Sequence, residues 1–173
     1  MRTRPVLFLD VDGPLIPFGA SSRDRPGGYK TFTAATLLPP GASPLLSRVD
    51  PSLGPSLLAL DCDMVWATTW MHQANDVVAP LLGLAPLPVL DWPEPDEQSD
   101  VDARRGLHWK TRALVDWASS RDFVWIDDEI TAADERYVAA QHRGVALLVR
   151  VEAKAGITAG DLDRVRSWRT GRG

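Results

Sequence analysis

Three apolar runs in this chain each stop on polar residues. Val6-Leu7-Phe8-Leu9 runs into Asp10-Val11-Asp12, Met64-Val65-Trp66-Ala67 into Thr68-Thr69, and Phe123-Val124-Trp125-Ile126 into Asp127-Asp128. A continuous apolar run without alternation suits a strand buried on both faces, as in a parallel sheet covered by helices. Val145 to Val149 reads as a fourth strand. Helical segments fall between the runs: Pro55 to Leu60 as the end of a helix, Met71 to Ala79 up to the break at Pro80, and Lys110 to Ala118. The last of these places Ala113, Leu114, Trp117 and Ala118 on one face. Thr131 with Asp134 and Thr158 with Asp161 are capping-box starts, and Ile157 and Leu162 stand at hydrophobic-staple spacing. Strands alternating with helices predict an α/β fold, a Rossmann-like three-layer sandwich with a mostly parallel sheet.

The segments between these elements are less regular. Residues 14–50 are rich in Gly, Pro, Ser and Thr, with a β-prone piece from Tyr29 to Thr36. The expectation there is a small cap or flap, with a hairpin leaving the sheet after its first strand. Leu87 to Leu90 reads as a short strand, and the Pro- and acid-rich stretch Asp91 to Gly106 as a mobile loop. At 173 residues, against roughly 150 per domain, the chain (1–173) reads as one domain. No apolar run approaches the roughly 18 residues of a membrane span, and Val6 to Leu9 falls short of a signal-peptide core of about 7–15. The one cysteine, Cys62, excludes an internal disulfide framework. A cytoplasmic protein without membrane association is therefore expected. Its net charge of −4 argues against a general nucleic-acid coat. Charge is unevenly spread, with acids from Asp91 to Asp102 and bases at Arg164, Arg166, Arg169 and Arg172; both patches read as solvated faces.

In an open α/β sheet the ligand crevice lies outside the carboxyl ends of the strands, so Asp10/Asp12, Thr68/Thr69 and Asp127/Asp128 are expected to converge. Four carboxylates in one crevice repel unless a cation sits among them. An all-oxygen set favours Mg2+, held by one or two carboxylates together with substrate phosphate and water. Lys110 supplies a further positive charge for a phosphate. Competing readings fail on the letters: an EF-hand starting at Asp10 would need Gly and Glu where Leu15 and Ser21 stand. Neither a Gly-x-Gly-x-x-Gly after a strand nor a Gly-Lys-Ser/Thr loop occurs.

With these residues in view, the chain resembles the haloacid dehalogenase (HAD) superfamily of phosphohydrolases. The resemblance rests on Leu7-Phe8-Leu9-Asp10-Val11-Asp12-Gly13-Pro14-Leu15, then Val65-Trp66-Ala67-Thr68, then Lys110, then Val124-Trp125-Ile126-Asp127-Asp128. Pro14 stands where that family usually has Thr. More loosely, the whole looks like the small HAD domains attached to RNA-repair proteins. The resemblance implies a Mg2+-dependent phosphatase working through an aspartyl-phosphate. It implies Asp10 as nucleophile and Asp12 as general acid and then base. Thr68 would donate to the phosphoryl oxygens, and Lys110 would offset their charge. The metal would be held by Asp10, the backbone carbonyl of Asp12 and Asp127, with Asp128 binding directly or through water. The substrate stays open between a small molecule, a nucleotide and a nucleic-acid end, and the oligomeric state is not written in the motifs. The rival reading is a catalytically silent HAD-like module that binds a phosphorylated partner.

Strand alternation favours Thr68 over Thr69 as the residue facing the crevice. Core or lid packing is the expected use of Trp66, Trp70, Trp92 and Trp109, because aromatic rings supply large buried area. His72 and His108, which flank the second and third motifs, read as satisfied or solvated.

Overall fold

The computed structural model describes residues 3–171, so Arg172 of the basic end lies outside the described residues. Its centre is a sheet of four parallel strands: β1 (Val6–Leu9), β2 (Asp63–Trp66), β3 (Phe123–Asp127) and β4 (Ala146–Arg150), in the order β2-β1-β3-β4. Leu9 is level with Trp66 on one side and with Ile126 on the other. Leu87 to Leu90 contributes a single parallel bridge, Trp66 to Val89, at the outer edge of β2.

Alternation along the strands sorts the core into two layers. Leu7, Leu9, Trp66, Val124 and Ile126 join one cluster, which also takes in residues of α1 (Leu53–Leu58), α2 (Gln73–Val77), α3 (Ala79–Leu82) and α7 (Ala159–Thr170). Val6, Phe8, Val65, Phe123 and Trp125 join the other, with residues of α5 (Thr111–Ala118) and α6 (Ala132–Gln141). Helices on both faces of a parallel sheet make the Rossmann-like sandwich. Pro80 lies in the first turn of α3, so the helical stretch after Met71 is two short helices with a break at Val78. Both capping boxes form, at Thr131/Asp134 and Thr158/Asp161. Among the described residues no helix is long and apolar enough to cross a membrane.

Two expectations need correction. No strand forms at Tyr29 to Thr36; that segment has a 3-10 turn at Ala35–Leu37, followed by another at Pro44–Arg48. The Tyr29 ring lies under the guanidinium groups of Arg25 and Arg48, at 5.0 and 4.2 Å, and the Phe32 and Thr33 amides both donate to Ser47 O. Pairing is thereby replaced by side-chain clamping and a shared carbonyl. The Asp91 to Gly106 stretch contains a helix, α4 (Glu97–Arg104), started by Asp96, whose carboxylate accepts from the Ser99 amide. Buried Asp102 on α4 pairs with Arg112 of α5, which also reaches the Tyr137 hydroxyl on α6. Helix α5 turns Leu114 and Ala118 into the second layer with Ala113 packed against it, and Trp117 meets Phe8 of that layer edge to face while staying 40% exposed.

Asp134 joins the second layer to the loop before α5. Fully buried, it accepts from the His108 amide (2.8 Å), the Thr111 hydroxyl (2.6 Å) and the Thr131 amide (2.7 Å). Asp134→Ala removes a capping partner and strands buried donors, so a loss of about 2–4 kcal/mol is expected in urea unfolding.

Candidate active site

The parallel register brings the strand ends to one level. The Asp10 amide donates to Ile126 O and the Ala67 amide to Leu9 O, so the pairing runs on one residue past β1 and one past β2. Alternation then places Asp10 on the face of Phe8, and Asp127 on the face of Trp125. That is the face on which α5 begins. Lys110, immediately before α5 and 2% exposed, reaches both carboxylates: its Nζ lies 2.8 Å from Asp10 Oδ2 and 2.8 Å from Asp127 Oδ2.

The remaining donors fix these groups in place. Asp10 Oδ1 accepts from the Val11 amide at 2.8 Å. Asp127 accepts from the Trp125 indole at 3.2 Å and from the Glu129 amide at 2.9 Å. Lys110 is held in turn by its loop, where its amide donates to His108 Nδ1 (3.2 Å). With Nδ1 accepting, Nε2 is left to donate to Glu129, 3.2 Å away. His108 is therefore a satisfied histidine that braces the lysine. Exposed His72 stands at the entry to α2.

Burial lifts the Asp10 carboxyl to about 7, against the pull of the Lys110 ammonium and with the help of neighbouring Asp127. Asp128 is raised too, by burial first and then by Asp127. Burial works against the charge on Lys110, but Asp10 and Asp127 outweigh it and the ammonium titrates above its usual range. Oxygens of Asp10, Asp127 and Asp128 lie within 4.8 Å of one another. Three carboxylates facing one ammonium keep an excess of negative charge, and a hard divalent cation such as Mg2+ fits that all-oxygen set. The Asp12 carboxylate is outside this group.

Backbone makes room for the cluster at Gly13. It has φ +85°, and a Cβ there would lie 2.4 Å from Cγ of Asp128. Pro14 serves the turn through its carbonyl, which accepts from the Ile157 amide at 2.9 Å and ties the segment leaving β1 to the chain before α7.

Thr68 is buried and Thr69 exposed. The Trp92 indole donates to Thr68 O at 3.2 Å, and Trp92 meets Trp109 edge-on with centroids 4.7 Å apart. Packing describes Trp66, whose buried indole donates to Asn75 Oδ1 at 2.8 Å. Trp109 packs against Trp92 yet stays 49% exposed, bordering an open cleft of about 600 Å³ together with Glu94, Asp116 and Glu129. Packing does not exhaust Trp70, whose indole donates to Asp12 Oδ2 at 2.9 Å. Sequence reasoning assigned Trp70 no polar role, because nothing local links positions 12 and 70; its place two residues after Thr68 was the available signal.

The raised Asp10 carboxyl has a consequence for stability. In the folded chain without metal it holds its proton up to about pH 7, against 3.8 for the ordinary group. The folded state therefore binds more protons between those values, and stability falls as pH rises through about 7. Urea midpoints measured in chelator from pH 5 to 8 should decline, and Asp10→Asn should flatten that decline and stabilise the protein at the alkaline end.

Comparison with known proteins agrees with this geometry. No curated protein and no solved structure matches the chain. A family profile does, over residues 6–162, which takes in the strand ends, Lys110 and both capping boxes. The chain belongs to the family described as the HAD domain in Swiss Army Knife RNA repair proteins.

Proposed function

We propose that the chain is a Mg2+-dependent phosphatase that hydrolyses a phosphate monoester through an aspartyl-phosphate on Asp10. The observation that carries this reading is the Asp10 carboxylate, gripped by the Val11 amide and the Lys110 ammonium at the crevice end of β1. An Asp10 oxygen attacks phosphorus as the ester P–O bond breaks, and the leaving oxygen takes a proton from Asp12. Water then attacks the phosphorus of the aspartyl-phosphate and gives its proton to Asp12. The bond to Asp10 breaks and inorganic phosphate leaves. Lys110 offsets charge on the phosphoryl oxygens, and the Thr68 hydroxyl donates to one of them.

Asp10, Asp127, Asp128 and the carbonyl of Asp12 would hold Mg2+, which supplies charge neutralisation between the anionic nucleophile and the anionic ester. Asp12 acts through its carboxyl group, which accords with its standing apart from the acidic cluster.

The family's description points to RNA repair, and with it to a nucleotide or a nucleic-acid end as the phosphorylated substrate. Charge around the crevice supports that choice. The segment from 14 to 50 packs over the first core layer and carries Arg23, Arg25, Lys30 and Arg48. The acidic wall of the 600 Å³ cleft belongs to the opposite layer. A polyanion would therefore approach along the 14–50 segment. The lone, half-buried Cys62 suits a reducing cytoplasm.

Release of phosphate from p-nitrophenyl phosphate tests the activity. It should require Mg2+, vanish in chelator and recover poorly with Ca2+, whose longer bonds and higher coordination number suit in-line transfer less well. Asp10→Asn should lower turnover by at least about 10³. Full activity in excess chelator, or wild-type turnover by a variant free of deamidation, would overturn the mechanism. A folded wild type that binds phosphate and Mg2+ without turnover would identify the silent binding module instead.

A further inference from the structure

The two N–H groups of Trp70 point at two different groups of the crevice. Its backbone amide donates to Thr68 Oγ1 at 3.3 Å, and its indole Nε1 donates to Asp12 Oδ2 at 2.9 Å. We propose that Trp70 is a positioning residue for the phosphatase site, orienting the Asp12 carboxylate and the Thr68 hydroxyl together. The proposal rests on the reading of Asp12 as proton donor and acceptor given above.

Each end of the longer contact is fixed independently. On the Asp12 side, the chain makes a tight loop in which Asp12 bridges to Ile16 and the Gly13 amide donates to Ile16 O. On the Trp70 side, the chain leaves β2 through a turn closed by the Met71 amide on Thr68 O, with Met71 at φ +50°. That left-handed angle is uncommon outside glycine. The Trp70 carbonyl then accepts from the Gln73 amide at the start of α2, and the ring packs partly buried against the first core layer. The indole thus spans two ordered turns whose residues are 58 positions apart.

The chemistry follows from which atoms are occupied. An indole N–H donates only, so Oδ2 of Asp12 acts there as an acceptor. Among the described residues no hydrogen bond occupies Oδ1, which is left to meet the leaving oxygen and then the attacking water. At Thr68 the backbone amide uses an oxygen lone pair, which leaves the hydroxyl hydrogen free to donate to the phosphoryl group. One residue thereby sets the direction of a proton carrier and of a phosphate donor.

Trp70→Phe keeps an aromatic ring in the packing and removes only the indole donor. The experiment compares p-nitrophenyl phosphate, whose leaving group needs little acid assistance, with an alkyl phosphate, whose leaving group needs much. The rapid burst of p-nitrophenolate should stay within about twofold of wild type. Alkyl phosphate turnover and breakdown of the aspartyl-phosphate should each fall about tenfold, part of the roughly 10²–10⁴ that a positioned acid or base contributes. KM for p-nitrophenyl phosphate should fall by about the same factor as breakdown, because the aspartyl-phosphate accumulates when its formation is spared. In an Asp12→Asn background the same substitution should have no further effect on either step, since the indole acts through Asp12.

Wild-type rates on both esters, or a uniform loss that includes the burst, would overturn the positioning role and leave a packing residue. If Trp70→Phe does not fold, a benzothienylalanine at position 70 keeps the two-ring shape without the N–H and gives the same comparison. Failure of the underlying reading has a different signature: Asp12→Asn would then retain wild-type rates on both esters.

Discussion

One buried ammonium between two buried carboxylates organises this molecule. Placing Asp10, Asp127 and Lys110 out of water is costly, and their mutual attraction repays it only if the geometry is held tightly. Much of the surrounding structure does that holding. The register of three parallel strands sets the two acids level, the Trp125 indole and the Glu129 amide hold Asp127, and the His108–Glu129 and His108–Asp134 contacts steady the loop that carries the lysine. The second core layer therefore acts as a support for a charge arrangement as well as a store of buried apolar surface.

The sheet and the acid cluster were legible in the sequence because both are written locally. A strand covered on both faces must be apolar at every position, and its end shows where polar residues begin. The capping boxes at Thr131 and Thr158 are local as well, each closing within four residues. What escaped depends on partners far along the chain. Helix α4 lies in a Pro- and acid-rich stretch, and its buried Asp102 is compensated by Arg112 from the next helix. Val115 joins the buried face of α5 although its spacing does not mark it, while Trp117 meets Phe8 of the sheet with much of its ring exposed. Tyr29 has high strand propensity in a segment that offers no second strand, and two arginines clamp its ring. The Trp70–Asp12 contact joins turns after two different strands, so it appears only when the strands are side by side.

The two layers also present different flanks at the strand ends. Over one lies an irregular segment with exposed arginine and lysine side chains; over the other lies a cleft walled by acids and a half-exposed Trp109. Under the proposed phosphatase reading, the grip on a phosphoryl group would be common to every phosphate ester, and discrimination among esters would fall to these flanks.

Gly13 carries no functional group, yet its missing side chain is the space that Asp128 occupies. A single added methyl there would press on the Asp128 carboxylate and, at φ +85°, strain the backbone as well. The identity of position 13 is thus dictated by a side chain that arrives from the far end of another strand, and the two positions can change only together.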